Sequence, residues 1–289
     1  SAYPGAAVLG AEAAWRTGIG LVRSTPQLDD APAAHGLTTP AAAVLAARPE
    51  TVFADGASHP DCDAWLLGSG TDPALRSFSE RAALRTLFAG DTPLVVDAGA
   101  QVEVLEADVR APLVLTPHRG EFLTLWRLAG LGERPDGWPA DRDRLPDESA
   151  LAAAASRLAA HLGATILLKG SLSISATPGG FCAVAGPATP WLAAAGTGDV
   201  LGGMLGALVA THGATTHGAA VRQDPELLGP LAASAAVLHD AAARIASGHA
   251  AGDAAAQGQP ITALDVAHAI PAAGPPGQKG GNPAPPPGP

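Results

Sequence analysis

Four short apolar runs in this chain end alike, and that repetition constrains the fold more than any other feature. "AWLLGSG" at 64–70 closes on Gly-Ser-Gly, and "PLVVDAG" at 93–99 closes on Asp-Ala-Gly. "PLVLTPHRGE" at 112–121 turns at Thr-Pro-His, and "TILLKGS" at 165–171 turns at Lys-Gly-Ser. Each run is continuous and rich in Leu, Val or Ile, as in a strand buried on both faces. Helical stretches separate them, at 77–90 and 150–163. Strand and helix in alternation predict an α/β fold with a mainly parallel sheet. In such sheets ligands bind beyond the carboxyl ends of the strands. Taken singly, each of these ends is a turn signal. Taken together, they put Gly70, Asp97, His118 and Lys169 on one edge, which reads as a site.

The next stretch changes character. Residues 171–187, "SLSISATPGGFCAVAGP", alternate and turn at Pro178-Gly179-Gly180, which predicts a β-hairpin at the sheet's edge. The hairpin leads into "WLAAAGTGDVLGGMLGALVA" at 191–210. Val200, Leu201, Met204, Leu205, Leu208 and Val209 recur at helical spacing, so a helix starts between Thr197 and Asp199. The first N–H groups of a helix have no partner inside it. Around Gly196, Thr197 and Gly198 those donors are open to a close ligand, and a phosphate suits that position. Asp199, beside this anion hole, is either an ordinary acid of a first helical turn or a general base. An anion nest joined to a carboxylate suits phosphoryl transfer: the nest takes the charge and the carboxylate takes the proton of the attacking hydroxyl. On that reading Asp199→Asn slows the reaction and changes stability little.

Composition adds one candidate. Of 17 basic residues, 15 are Arg, and the lysines are Lys169 and Lys279. Lys279 lies in the tail, which leaves Lys169 as the lysine of the folded body. Lysine is a compact point charge on a flexible stem, which the planar fork of Arg does not copy. Lys169 is therefore either a remnant in a lysine-poor chain or a phosphate ligand. In the second case Lys169→Ala weakens nucleotide binding and leaves folding almost unchanged.

A net charge of −10 argues against a nucleic-acid surface. It does not argue against a nucleotide, whose phosphates backbone N–H groups can hold. No apolar run is long and clean enough to span a bilayer, and no signal peptide is visible. Cys62 and Cys182 stand 120 residues apart without metal spacing. They predict two buried thiols and a reducing, cytoplasmic setting rather than a disulfide. Residues 129–150, broken by Gly and Pro, read as a surface excursion inside one domain covering 1–270. In the tail, 271–289, thirteen of 19 residues are Pro or Gly, which predicts disorder.

"AGTGDVLGGMLGALVA" resembles the Gly-Gly-Thr-Gly-Asp segment of the ribokinase-like superfamily. The rest is similar to one branch of it, the ADP- or ATP-dependent NAD(P)H-hydrate dehydratases. That branch carries "TPHPGE", where this chain has "TPHRGE" at 116–121. It carries "LKG", "DAGAL" and "GPG", here Leu168-Lys169-Gly170, "DAGAQ" at 97–101 and "GSG" at 68–70. Near its start it reads "PGAALLAARAALRSGAGLV", and residues 4–22 here read "PGAAVLGAEAAWRTGIGLV". The resemblance runs in order from about residue 3 to 270, and the "TPHxGE" and "GTGD" pair carries most of its specificity. Three features depart from the pattern. Arg119 and Ser69 stand where prolines are usual. The strand that family members carry ahead of "PGAA", ending in a Gly-Gly-Ser turn and lying inside the sheet, does not precede it here.

The resemblance implies a ribokinase-like three-layer fold and a metabolite-repair reaction. The substrate is NAD(P)H hydrate, in which water has added across a ring double bond. ADP or ATP, accompanied by magnesium, phosphorylates the ring hydroxyl, and phosphate then leaves. Asp199 is the implied base. Lys169, Gly170, Ser171, Leu172, Ser173 and Gly198 are implied to contact the nucleotide. Ala6, Gly70, His118 and Asp199 are implied to contact the hydrated cofactor. Without the resemblance, His118 is as readily a packed core histidine, and Glu121 is either a loop-orienting or magnesium-assisting carboxylate or a plain helix N-terminal acid. A homo-oligomer and an NAD(P)H-hydrate epimerase, separate or fused upstream, are the implied protein partners. Two rivals remain: a vitamin-precursor kinase of the same fold, and a nucleotide-binding remnant without turnover.

Overall fold

The computed structural model describes residues 3–25, 36–53, 62–141, 144–214, 221–222, 224–249 and 257–274. Two short strands, β1 (Arg23–Ser24) and β2 (Val52–Phe53), pair parallel with each other. The four apolar runs follow as β3 (Trp65–Leu67), β4 (Leu94–Val96), β5 (Leu113–Leu115) and β6 (Thr165–Leu168). They are parallel neighbours in chain order. Strands β7 (Ser173–Ala176) and β8 (Cys182–Ala185) add the expected antiparallel hairpin at the edge of this six-stranded sheet.

Both predicted crossover helices form, and local chemistry sets their ends. Helix α1 (Gly5–Thr17) opens the chain and α2 (Pro40–Ala47) follows β1. The Ser77 hydroxyl accepts from the Glu80 N–H and starts α3 (Phe78–Phe88). Helix α4 (Arg119–Leu128) follows β5. The Asp147 carboxylate caps α5 (Glu148–Leu162), which stops at Gly163 in the left-handed region, φ +63°. Then come α6 (Thr197–Ala214), α7 (Leu228–Ser247) and α8 (Ala263–Ala273).

Strand parity sorts the core into layers. Leu94, Val96, Leu113, Leu115, Ile166 and Leu168 face α3, α4 and α5. Val95, Val114 and Leu167, one residue out of phase, face α6 and α7. Helix α1 and α8 cover the outside of α6. That is why α6 is apolar all round. Its glycines permit the contact with α1: a Cβ on Gly203 would lie 2.2 Å from the Gly10 carbonyl oxygen.

Between β1 and β3 lies a cavity of about 430 Å³, lined by residues 22–25 on one side and 64–69 on the other. Among the described residues β1 pairs only with β2, and β3 only with β4. Two buried polar atoms on the cavity wall, Arg23 Nη1 and Thr25 Oγ1, have no hydrogen-bond partner among the described residues.

The structure corrects two expectations. Neither cysteine is buried, because Cys62 lines that cavity and Cys182 faces outward on β8; no disulfide joins them. The excursion at 129–150 is mostly exposed, as expected, and sends Trp138 back into the core, where it stacks on Phe122 with centroids 5.1 Å apart. Helix α8 continues through Pro271 to Ala273, so the first residues assigned to the tail are helical, and residues 275–289 lie outside the described residues. Among the described residues no helix is long and apolar enough to cross a membrane.

Candidate active site

Register carries the four strand ends to one edge of the sheet. Leu67, Val96 and Leu115 lie side by side across β3, β4 and β5. Three residues beyond the Leu115–Ile166 pair, His118 bridges to Lys169. Gly70, Asp97, His118 and Lys169 therefore follow the carboxyl ends of four neighbouring parallel strands.

Lys169 is the centre of this edge. Its Nζ lies 2.7 Å from Asp97 Oδ1, and the Thr116 hydroxyl donates to the same oxygen at 2.7 Å. Asp97 is buried, so the ion pair is largely shielded from water. Asp97 stood out in the sequence as a strand end but not as the partner of Lys169. The ion pair ties the lysine to the folding energetics as well as to the site, so its removal should cost stability, where the sequence alone suggested little change. The ammonium also reaches the start of α6, for a Cβ on Gly198 would lie 3.4 Å from it. Gly170 and Ser171 are exposed, and with half-buried Leu172 they make the turn from β6 into β7, which Ser173 begins. The Ser171 carbonyl accepts from Ala188 N–H at 2.8 Å, docking this turn on the segment that leads to α6.

At the start of α6, Gly196 holds φ +87°, a conformation that favours glycine. Thr197 is buried, and its hydroxyl lies 2.8 Å and 2.9 Å from the Leu192 and Ala194 carbonyls, which anchors the helix end. Among the described residues nothing accepts from the Gly198 or Asp199 N–H groups, the opening an anion needs. The Asp199 carboxylate caps no backbone N–H among the described residues. Burial pushes its pKa up, the Asp97 charge pushes the same way, and the Ser69 hydroxyl and the Lys169 ammonium pull it down without prevailing. The ordinary capping role therefore does not describe it.

His118 is neither packed in the core nor withdrawn from solvent. Its side chain is 61% exposed, and Nδ1 accepts from Gly120 and Glu121 N–H at 3.0 Å and 3.2 Å, capping α4. Glu121 completes the box by accepting from His118 N–H at 2.9 Å. A neutral His118 then carries its proton on Nε2. Arg119, in the first turn of α4, lays its guanidinium over the Trp138 ring 5.7 Å from the centroid. Ala6 and Gly70 are both buried, pressed so close that a Cβ on Gly70 would sit 2.8 Å from that of Ala6.

Among the described residues no three His, Cys, Asp or Glu side chains converge as metal ligands. Glu121 is engaged in its cap and Asp97 in its ion pair.

One buried titratable group escaped the sequence reading. His239, on α7, is 6% exposed, and its Nε2 meets no partner among the described residues. Burial lowers its pKa to about 4, against the smaller upward pull of the Thr197 backbone and Asp240. A depressed histidine contributes stability that is present above its unfolded pKa of 6.5 and lost as pH falls through about 4. Over that window the loss should reach about 3 kcal/mol. Denaturant melts at pH 7.5 and pH 4 check this: His239→Gln should show a smaller acid loss than the wild type, and parallel losses would refute it.

A mainly parallel α/β sheet with a glycine-bounded helix start facing its carboxyl edge defines a ribokinase-like fold. The chain belongs to the NAD(P)H-hydrate dehydratase family, whose profile matches residues 1–271. It is 39% identical over 219 residues to a bifunctional NAD(P)H-hydrate repair enzyme of Mycobacterium tuberculosis, covering 73% of this chain and 39% of that protein. The chain thus spans about two-fifths of the length of such relatives. It is 33% identical to an ADP-dependent (S)-NAD(P)H-hydrate dehydratase of Neisseria meningitidis, covering 75% of this chain and 71% of that one. A Bacillus subtilis ADP/ATP-dependent NAD(P)H-hydrate dehydratase, co-crystallised with ATP and Mg2+, superposes with a TM-score of 0.65 at 25% identity, over 93% of this chain and 84% of that one.

Proposed function

We propose that this chain dehydrates NAD(P)H hydrate to NAD(P)H, using ADP or ATP as phosphoryl donor. The observation that carries the reading is the meeting of Asp199 and Lys169 at the open N-terminus of α6. The nucleotide's terminal phosphate lies against the N–H groups of Gly198 and Asp199, with the Lys169 ammonium beside it and the 170–173 turn along the nucleotide. Asp199 accepts the proton of the ring hydroxyl as that oxygen takes the phosphoryl group. The phosphate then leaves with the C–O bond electrons, a ring proton is lost from the adjacent carbon, and the double bond returns. His118 and the Gly70 edge hold the hydrated cofactor. Magnesium comes with the nucleotide, and no step here depends on a protein cage for it. The reaction belongs to the cytoplasm, with the enzyme as a homo-oligomer and an epimerase supplying the reactive epimer.

Incubation of NADH hydrate with each nucleotide tests this. Nucleotide-dependent return of NADH absorbance supports the dehydratase. Phosphorylated hydroxymethylpyrimidine or thiazole product would move the chain to the vitamin-precursor kinases. Nucleotide binding with no turnover of either kind would make it a remnant.

The slot between β1 and β3 belongs to the same proposal, as the place of one further parallel strand. The facing strand edges call for main-chain partners, and Arg23 Nη1 and Thr25 Oγ1 on the wall are unpartnered among the described residues. Tyr3 N–H donates to the Gly70 carbonyl at 3.3 Å, so a strand leading into α1 would finish at the carboxyl edge, as a parallel neighbour must. The strand that the resemblance places ahead of "PGAA" meets these demands. Extending the chain by it should raise Tm by more than about 5 °C, since 1 kcal/mol is worth about 2–4 °C at this size. An unchanged Tm would mean the slot does not receive it.

A further inference from the structure

Behind the site, Arg76 is buried with its side chain wholly out of solvent. Its Nε donates to Glu80 at 3.0 Å on α3. Its Nη1 donates to Glu103 at 2.8 Å and to the Gly99 carbonyl at 3.2 Å. Its Nη2 donates to the Thr71 hydroxyl at 2.9 Å. Thr71 in turn donates through its hydroxyl to the Gly68 carbonyl at 2.8 Å. One guanidinium therefore holds both the loop after β3, which carries Ser69 and Gly70, and the loop after β4, which carries Asp97.

The second loop needs holding. Ala98 has φ +43°, a left-handed conformation that a residue with a Cβ resists. Such a conformation persists where the surroundings over-determine it. At the next residue the two loops touch: a Cβ on Gly99 would lie 2.5 Å from the Thr71 carbonyl oxygen. Charge at the clamp is balanced, with Glu80 and Glu103 facing Arg76 and with Arg81 also on Glu103.

We propose that Arg76 is a positioning residue that sets the spacing of the Ser69–Gly70 loop against the Asp97 loop, and through it the pocket for the hydrated cofactor. The functional half of this inference rests on the dehydratase reading; the structural half does not. A planar fork with several donors is what the task requires, and a lysine at the same place keeps the charge but cannot reproduce the fork.

Hydrogen exchange and steady-state kinetics on the same proteins test both halves. Arg76→Lys, which preserves charge balance with Glu80 and Glu103, should fold. Amides of 68–71 and 97–101 should exchange faster, while those of 169–173 and α6 keep wild-type protection. KM for NADH hydrate should rise about tenfold, as expected for a misplaced binding wall, with ADP affinity unchanged. Thr71→Val, which removes the acceptor for Arg76 and the donor to the Gly68 carbonyl but no charge, should reproduce the effect in weaker form, and Thr71→Ser, which keeps the hydroxyl, should behave like the wild type. Unchanged exchange in the two loops would overturn the inference whatever the activity. Faster exchange with unchanged KM in an active enzyme would reduce Arg76 to a structural clamp and overturn its positioning role. A wild type without turnover would refute the dehydratase reading instead, leaving the exchange result to decide the clamp.

Discussion

Asp199→Asn should slow phosphoryl transfer by about 10²–10⁴-fold without weakening the fold. The carboxylate is half-buried, and both burial and the Asp97 charge push its pKa up. A group with a raised folded pKa contributes stability fully below its unfolded value of 3.8, and that contribution is lost as pH rises through the folded value. At neutral pH the ionised form is therefore a cost to the fold, which Asn removes. The variant should be at least as stable as the wild type at pH 7, and the two should converge as pH falls below the ordinary carboxylate range. ADP affinity should survive, because backbone N–H groups of α6 and the Lys169 ammonium remain. A variant keeping more than about a tenth of the wild-type rate would fall outside the range for lost acid–base catalysis and would end the base assignment. A large drop in stability would instead show that the side chain supports the helix start.

Lys169→Ala should damage both binding and folding. Asp97 is 3% exposed, and the ammonium and the Thr116 hydroxyl share its Oδ1. Breaking a buried pair by removing one partner leaves an uncompensated charge and costs about 3–5 kcal/mol. The lower part of that range applies, because the Lys169 side chain is still 17% exposed and water can enter. Nucleotide affinity should fall by about 1.5–3 kcal/mol as well, the worth of a hydrogen bond to a charged group. The two effects separate in a second protein. Lys169→Met with Asp97→Asn removes both charges, so stability should recover most of the loss while nucleotide affinity stays low. If the double variant also regains affinity, Lys169 acts only through Asp97. If the single variant melts like the wild type, the ion pair does not matter to the fold.

Comparison of strand ends with side chains shows where local information stopped. The runs at 64–70, 93–99, 112–121 and 165–171 specified their strands, because a continuous Leu/Val/Ile run of that length buries both faces only inside a covered sheet. The same logic found the hairpin and the start of α6, and the motif order identified the family. Polar roles were less legible. His118 was read as a ligand-edge residue, with a packed core histidine as its rival; its capping of α4 was not foreseen, because capping depends on where the next helix starts, a geometry that Arg119-Gly120-Glu121 decides.

By itself, then, the sequence determined the parallel strands, their order of motifs and the carboxyl edge that gathers them, since hydrophobic period and turn chemistry act within a few residues. Tertiary structure alone decided the pairing of Lys169 with Asp97 across 72 residues, the clamp of Arg76 on two loops, the raised pKa of Asp199 and the cavity between β1 and β3. Those depend on distances and burial created when crossovers bring remote segments together. No local periodicity encodes the direction in which a lysine or arginine reaches once they meet.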